Sequence, residues 1–256
     1  MCRKILSTNV GPVCDTLGMI ETRSFSLPSR PIGRYQVALL GVATVLVALG
    51  CAGFLIDLPV AIWCKTHRLP GEIGRLINLL EISGHSLGAA IVLIAVVTLD
   101  RSLRMPMPGR FGAAERIVLR MIAATYLGGL LVDLIKISVA RVRPRAADLA
   151  SVASPFGTFG DDSLAVTAPH FADLMSFPSG HSAVAAGLAA ALTWRYPHGA
   201  PLFAMLAAAT ALQRVVTSAH YPSDVACGAA MGLIGAACCL GGPRAIRSTM
   251  ADTATA

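Results

Sequence analysis

The sequence predicts an all-α membrane protein, a polytopic bundle of about six transmembrane helices with an outer loop between the third and fourth spans. Hydrophobic residues make up 55% of the 256 residues and charged residues only 14%, whereas soluble domains average about 25% charged residues. Aromatic residues are only 5%, so the apolar character comes from Ala, Leu, Val, Ile and Gly, which suit closely packed membrane helices. This composition excludes a mostly disordered chain and argues against a water-soluble one.

Six apolar runs define the predicted spans. The first, residues 36–56, contains no charged residue and matches the thickness of a bilayer. Because a cleavable signal would lie nearer the start of the chain, we expect an uncleaved first span. The other runs cover residues 82–99, 117–135, 182–194, 201–216 and 225–240. Several of these are short, and we expect their helices to begin earlier, in polar residues that face the bundle interior.

Small residues recur four positions apart within these runs. The pairs are Gly84 and Gly88, Ala183 and Gly187, and Gly228 and Gly232. This spacing favours close approach of helix backbones in lipid, although any single pair also arises by chance in a chain rich in Ala and Gly.

The charged residues predict the domain organisation and the orientation. We expect a basic cytosolic tail over residues 1–34, with translation starting at Met1 or Met19, a membrane domain over 35–242 and a short tail over 243–256. With the N-terminus inside, 13 of the 21 Lys and Arg residues fall on the inner side, as the positive-inside rule requires. Most of the net charge of +7 lies in loops beside apolar runs, so we do not expect nucleic-acid binding.

Five of the outer cations cluster where the third and fifth spans emerge, and they point to function because a cation at a membrane helix edge is costly. Lys136 and Arg143 are seven residues apart, so they share a face if the helix continues to Pro144. A guanidinium fork and a point-charge ammonium together suit a phosphate-sized dianion.

A second stretch, Pro178 to His181, lies directly before an Ala-rich helix. Ser179 and Gly180 would expose backbone N–H groups at a helix N-terminus, where anions bind. His181 would lie where it can donate a proton to a leaving oxygen.

The third stretch contains Arg214, His220 and Asp224, with Pro222 suited to the first turn of the last span. A carboxylate four residues after a histidine can hold one imidazole nitrogen and leave the other free to attack. Arg214 adds a third cation for a phosphoryl group.

Each stretch alone also has a structural interpretation. Lys136 and Arg143 could be cations that anchor the helix at the interface, Pro178 to His181 could be a turn and helix cap, and Asp224 could be an N-terminal helix charge. The combination, in this order on one predicted face, favours a site.

The combination resembles the type 2 phosphatidic acid phosphatase family, the membrane relatives of vanadium haloperoxidases and bacterial acid phosphatases. Its signature is Lys-x6-Arg-Pro, then Pro-Ser-Gly-His, then Ser-Arg-x5-His-x3-Asp. The corresponding segments here are Lys136 to Pro144, Pro178 to His181 and Gln213 to Asp224. Gln213 replaces the usual Ser, and we expect altered affinity rather than lost activity.

The resemblance implies a mechanism. His220 would attack phosphorus and form a phosphohistidine, Asp224 would orient it, and His181 would protonate the leaving oxygen and then activate water. The phosphoryl oxygens would be bound by Lys136, Arg143, Arg214, Ser179 and the Gly180 N–H. Because three cations supply the positive charge, we expect no metal or other cofactor.

We therefore predict a lipid phosphatase in a bacterial inner membrane with its site facing the periplasm. The family implies undecaprenyl diphosphate, phosphatidylglycerophosphate, phosphatidic acid or lipid A phosphate as substrate. The alternative from another class is a non-catalytic membrane protein that binds or transports anions or lipid phosphates. A vanadate-dependent haloperoxidase is disfavoured, since its known members are mostly soluble. The oligomeric state and the role of the 145–177 loop stay open.

Overall fold

The computed structural model describes residues 33–67, 84–103, 112–160 and 171–241, together with residues 71, 74, 75 and 79. No β-strand forms in these ranges, whose extended pairing consists of two isolated bridges at Arg141. The predicted all-α fold is therefore confirmed. The helices, numbered here in chain order, are α1 Arg34–Gly53, α2 Asp57–Thr66, α3 Ser86–Leu99, α4 Ala113–Ser138, α5 Gly180–Arg195, α6 Ala200–Val216 and α7 Pro222–Cys239.

Each of the six apolar runs contains one helix, and five of those helices begin before the run, as predicted for several of them. Among the five, α4 begins at Ala113, α5 at Gly180 and α7 at Pro222. Polar side chains explain these early starts: Ser179 is the N-cap of α5 and its hydroxyl accepts from the Ser182 N–H, which satisfies a backbone donor at the helix end. The ten-residue helix α2 was not predicted, because Asp57 and Lys65 interrupt its apolar pattern.

The six long helices alternate in direction, which gives the bundle two ends. At one end, the Tyr35 hydroxyl near the start of α1 donates to the carbonyl oxygen of Ala190 on α5 at 2.7 Å. At the other end, Gly53 of α1 packs against the backbone of Ser223 at the start of α7. The three predicted motif stretches all belong to this second end, where α4 and α6 finish and α5 and α7 begin.

Glycines allow α4, α5 and α7 to pack closely. A Cβ atom at Gly232 of α7 would lie 2.2 Å from the carbonyl oxygen of Ala183, and one at Gly187 of α5 would lie 2.6 Å from that of Ala124. Any side chain at these positions would force the helices apart. The predicted close contact of small residues is therefore confirmed for Gly187 and Gly232, and α5, with 11 of its 16 residues buried, forms the centre of the bundle.

Large apolar side chains cover the outside of α1, α3, α4 and α6. Within the described residues, four segments are long and apolar enough to cross a membrane: Arg34–Gly53, Ala113–Ser138, Pro197–Val216 and Pro222–Cys239. The helix Ser86–Leu99 is apolar but shorter. An exposed apolar surface of this extent is stable only in lipid, so the chain is an integral membrane protein. The count of six spans stays a prediction.

Candidate active site

The first motif stretch leaves the helix earlier than predicted. Since α4 ends at Ser138, the helix does not continue to Arg143, and Lys136 and Arg143 do not share a helical face. The following residues are extended instead: the Arg141 N–H donates to the carbonyl oxygen of Leu174 at 2.7 Å, and the Ser176 N–H donates to that of Arg141 at 2.9 Å. This pairing replaces the helical hydrogen bonds and joins the first stretch to the segment before the second.

Arg141 is the centre of a fully buried ionic cluster. Its guanidinium pairs with Asp57 at 2.7 Å and with Asp224, and it donates to the hydroxyls of Ser223 at 2.8 Å and Thr158 at 3.0 Å. None of the three charged side chains is accessible to solvent. We call Asp57, Arg141, Ser223 and Asp224 the buried ionic cluster.

Aromatic rings enclose the same guanidinium. Its central carbon lies 4.1 Å from the ring centroid of Tyr221, 4.6 Å from that of Phe159 and 5.1 Å from that of Phe54. Neither Arg141 nor Asp57 was among the site residues predicted from the sequence. Asp57 and Arg141 carry opposite charges and lie beside long apolar runs, which is a weak sign of a buried ion pair. They are 84 positions apart in the sequence, however, and no spacing rule connects residues at that separation.

The second and third stretches meet through their backbones. The Ser179 N–H donates to the carbonyl oxygen of Asp224 at 3.0 Å, so the start of α5 is held beside the start of α7. The ammonium group of Lys136 comes close to this end of the helix, since a Cβ at Gly180 would lie 3.6 Å from Nζ of Lys136. The ammonium of Lys136 therefore lies over the N-terminus of α5, and His181 occupies the first turn of that helix.

The turn after α6 positions the third stretch. Arg214 is buried in the last turn of α6, and its carbonyl oxygen accepts hydrogen bonds from the N–H groups of Ala219 and His220, both at 3.1 Å. Ser218 within this turn has a positive φ of 54°, a conformation that non-glycine residues seldom adopt. The Arg145 N–H donates to its carbonyl oxygen at 2.9 Å, which connects the first stretch with the third.

His220 is 2% exposed, and its ring has a defined hydrogen bond. Nδ1 lies 2.7 Å from the carbonyl oxygen of Ser176. Since a carbonyl oxygen only accepts, Nδ1 carries the proton, and Nε2 of the neutral ring keeps its lone pair. Burial lowers the pKa of His220 to about 4, although the carboxylate of Asp224 raises it; the charges of Arg143 and Lys136 act in the same direction as burial. The ring is therefore neutral at pH 7, as a nucleophile must be.

Asp224 does not hold the imidazole in the way that the sequence analysis expected. Its carboxylate lies 3.7 Å from Nδ1 of His220, beyond hydrogen-bond distance. Oδ2 accepts instead from the Ser176 hydroxyl at 2.6 Å and from the Tyr221 N–H at 2.9 Å. Ser176 thus bridges the two residues, because its hydroxyl contacts Asp224 while its carbonyl contacts His220.

Lys136, Arg143 and Arg214 form the open cation cluster. Burial lowers the pKa of Arg143, and the neighbouring charges of Arg145 and Arg214 lower it further. Nε of Arg143 is buried and, among the described residues, has no hydrogen-bond partner. Arg145, by contrast, pairs with Asp173 at 2.8 Å. Like charges held together with an unsatisfied donor fit an anion, which would supply the missing partner.

Beside this cluster lies a polar cavity of about 380 Å³ between α3, α4 and α5. The ring of His181 contacts that of His85 edge to face, with centroids 5.8 Å apart. No motif in the sequence includes His85, so its position beside His181 was not predicted. The polar residues lining the cavity include His85, Ser86, Asp133, Lys136 and His181.

No group of three or more His, Cys, Asp or Glu residues with the arrangement of a metal site occurs in the described part of the chain. Asp161 and Asp162, the acidic pair of the outer loop, lie outside the described residues. The buried carboxylates Asp57 and Asp224 both pair with Arg141, so they do not form a vacant ligand set for a cation.

Comparisons with known proteins bear on this arrangement. A sequence profile of the PAP2 superfamily matches residues 117–246, just over half of the chain. A lipid A 1-phosphatase from Rhizobium johnstonii is 36% identical over 104 residues, which cover 41% of this chain and 38% of that protein. A lipid A 1-phosphatase from Rhizobium etli is 33% identical over 112 residues, 44% of each chain. The similarity thus spans well under half the length of these relatives.

A solved structure has a similar fold. It is described as the first transmembrane PAP2 type phosphatidylglycerolphosphate phosphatase from Bacillus subtilis. The TM-score is 0.50 at 20% identity, over 78% of this chain and 92% of that one. At this level of identity the likeness concerns the fold.

Proposed function

Because the chain belongs to the PAP2 superfamily, we propose that it is a membrane lipid phosphatase that works through a phosphohistidine on His220. The observation that carries this proposal is the neutral, buried imidazole of His220, whose Nδ1 faces the Ser176 carbonyl and which lies within the field of Arg143 and Lys136. A nucleophile and the cations for its phosphoryl target therefore lie together at one end of the bundle.

In the first chemical step, Nε2 of His220 would attack phosphorus while the bond from phosphorus to the leaving oxygen breaks. The negative charge of the three equatorial oxygens would be held by the open cation cluster, with Ser179 and the Gly180 N–H at the helix N-terminus. As phosphorus bonds to Nε2, the ring becomes positively charged. The carboxylate of Asp224, 3.7 Å from Nδ1, would stabilise that charge.

His181 would supply and recover the proton. Protonated His181 gives its proton to the leaving oxygen, which departs as an alcohol. Neutral His181 then removes a proton from water, the resulting hydroxide attacks phosphorus, and the P–N bond breaks. Inorganic phosphate leaves, and His220 returns to its neutral form.

A lipid substrate is supported by a second cavity. An apolar groove of about 380 Å³ lies between α3 and α4, lined by Leu93, Ile94, Val97, Met121 and Ile122 among others. Tyr126 lines both this groove and the polar cavity beside His181. An acyl chain in the groove would bring an attached phosphate to the cations without leaving the bilayer. Because two relatives are lipid A 1-phosphatases, we propose a glycolipid phosphate of the lipid A 1-phosphate type as the substrate.

We further propose that the site faces the periplasm of a bacterial inner membrane. The end of the bundle opposite the site includes Arg34, Arg101, Arg116, Arg120 and Arg195, and basic residues remain on the cytosolic side. A reporter enzyme that works only in the periplasm should then be active when it is fused after residue 160. Activity of a cytosol-specific reporter fused at the same position would contradict this orientation.

The three cations would make the reaction independent of metal ions, since they supply the charge that Mg²⁺ supplies in many phosphoryl transfers. Phosphate release should therefore persist in EDTA, and vanadate should inhibit it because vanadate adopts the pentacoordinate geometry of the transition state. Strong inhibition by EDTA that Mg²⁺ reverses would contradict this part of the proposal.

The function is tested with purified protein in detergent on four lipids: lipid A bearing a 1-phosphate, phosphatidylglycerophosphate, phosphatidic acid and undecaprenyl diphosphate. We expect phosphate release from at least one lipid, most rapidly from lipid A. The variants His220→Ala and His181→Ala should lose nearly all turnover. The matched control is His198→Ala, because His198 is exposed at the opposite end. Absence of release by the wild-type protein would favour a non-catalytic phosphate binder.

A further inference from the structure

The polar cavity beside His181 lies on the leaving-group side of the proposed reaction. His181 gives its proton to the leaving oxygen, so the group attached to that oxygen must extend past His181. The cavity of about 380 Å³ that His181 lines falls within the size range of small-molecule sites, roughly 300–1,000 Å³. Lys136 and Gly180, which the proposed mechanism assigns to the phosphoryl group, also line this cavity, so the leaving group would fill the part of it beside His85 and Asp133.

Asp133 is the acidic residue of this cavity, and the proposed phosphatase mechanism does not use it. It is exposed on α4, on a helix whose neighbouring side chains Leu130, Leu134 and Ile137 are 59%, 57% and 78% exposed to the surroundings of the bundle. A carboxylate among lipid-facing apolar residues is costly and usually marks a functional position. A carboxylate one helical turn from Lys136 would also repel a phosphate, so phosphate binding does not explain it.

His85 offers the complementary hydrogen-bond group. Its Nδ1 accepts from the Leu87 N–H at 3.4 Å as the N-cap of α3, which leaves a proton on Nε2 of the neutral ring. Two contacts fix its position. A Cβ at Gly84 would lie 2.9 Å from the carbonyl oxygen of His181, and the Tyr126 hydroxyl donates to the Ser86 carbonyl at 2.7 Å.

The charges select the class of ligand. Lys136 disfavours a cation in this cavity, and Asp133 disfavours an anion. A neutral group with several hydroxyls avoids both penalties, because its O–H groups donate to Asp133 and its oxygens accept from His85. A lipid alcohol without further hydroxyls would leave both side chains without partners.

We propose that His85 and Asp133 form a leaving-group site that binds a sugar ring and thereby selects glycolipid phosphates. This inference rests on the proposed phosphatase function and adds two specificity-determining residues to it. The site favours lipid A 1-phosphate over phosphatidic acid, whose diacylglycerol leaving group has no additional hydroxyl. It also disfavours undecaprenyl diphosphate, whose leaving group is itself an anion.

The test compares kcat/KM for lipid A 1-phosphate and for phosphatidic acid in identical mixed micelles. We expect the wild-type protein to prefer the glycolipid, and Asp133→Ala and His85→Ala each to reduce that preference about tenfold, mainly through KM. Asp133→Asn should recover part of it, since the amide oxygen still accepts one hydrogen bond. Asp148→Ala is the matched control, because Asp148 is exposed and lies outside this cavity.

A preference that stays unchanged in correctly folded Asp133→Asn and His85→Ala proteins would overturn the leaving-group site and leave the phosphatase function intact. Binding provides a readout that does not require turnover. Lipid A that lacks its 1-phosphate is the leaving group of the reaction. It should bind about tenfold more weakly to the His220→Ala, Asp133→Ala double variant than to the His220→Ala variant. Equal binding by the two proteins would also overturn the site, whereas absent release by wild-type protein with preserved binding would overturn only the catalytic proposal.

Discussion

Arg141 and Arg143 belong to the same short segment, about 7 Å apart along an extended chain, yet their surroundings differ. Arg141 is fully buried, with two carboxylates and two hydroxyls around its guanidinium. Arg143 is partly exposed, lies close to other cations, and has a buried Nε without a partner in the described part of the chain. One arginine belongs to the buried ionic cluster and the other to the open cation cluster.

The difference shows how the molecule keeps the proposed phosphate site positive. Asp57 and Asp224, the two fully buried acids near the site in the described part of the chain, both pair with Arg141. Neither is therefore the ion-pair partner of Arg143, and the open cation cluster can bind a ligand. The buried ionic cluster joins α2, the first motif stretch and α7, so it also fixes the elements that carry His220.

Replacing Arg141 should have the largest effect on stability. Arg141→Ala leaves two buried carboxylates without their partner, which costs about 3–5 kcal/mol. We expect a large fall in the free energy of unfolding, measured with denaturant in detergent, together with lost activity. Arg145→Ala is the control, since its half-exposed pair with Asp173 contributes only about 0–1 kcal/mol. Equal stability of the two variants would break the comparison.

Replacing Arg143 should affect activity alone. In the proposed mechanism Arg143→Ala removes a donor to the phosphoryl oxygens, and losing one such donor costs about 10²–10³-fold in kcat. Its unfolding free energy should be unchanged or slightly higher, because a repulsion with Arg145 and Arg214 is relieved. A drop in stability as large as that of Arg141→Ala would show that both arginines are structural.

Replacing Ser176 should have a smaller effect and sharpen the account of the bridge between Asp224 and His220. Ser176→Ala removes the hydroxyl that donates to Asp224 but keeps the carbonyl that accepts from His220. We expect about 1–3 kcal/mol of lost stability from the unsatisfied carboxylate and at most about a tenfold loss of kcat. A loss of turnover as complete as that of His220→Ala would mean that the hydroxyl itself acts in the reaction.

The smallest effect concerns pH. Since the pKa of His220 is lowered to about 4 from 6.5, the ring stays neutral above that value. The acid limb of kcat/KM assigned to His220 should therefore lie near pH 4, once the substrate ionisation near 6 has been titrated separately. The unfolded chain binds this proton at a higher pH, so the stability that His220 contributes is complete above 6.5 and is lost as the pH falls towards 4. An acid limb of kcat/KM near pH 6.5 that belongs to the enzyme would contradict the lowered pKa of His220.

Much of the fold was predictable because apolar runs in a chain with few charges have one stable solution, the membrane helix. The PAP2 superfamily match confirms the resemblance that the three motifs carried. Helix α2 escaped notice because it is ten residues long and contains Asp57 and Lys65. The early end of α4 escaped notice because Pro144, the evident breaker in the sequence, lies six residues after Ser138.

Within the site, residue types were predictable but pairings were not. The histidines and cations stood out by chemistry and spacing. The partner of His220, in contrast, is a backbone carbonyl, which has no signature in a sequence. Arg141 stood among other cations, and its burial depends on Asp57, a residue that only the fold brings near.

The most direct test of the central claim is to trap the covalent intermediate. Wild-type protein is mixed with lipid A carrying a ³²P-labelled 1-phosphate, quenched within milliseconds in alkali, digested and mapped by mass spectrometry. We expect an acid-labile, alkali-stable label on His220, absent from His220→Ala and longer-lived in His181→Ala. Phosphate release at the normal rate by His220→Ala, or a label on a different residue, would contradict it.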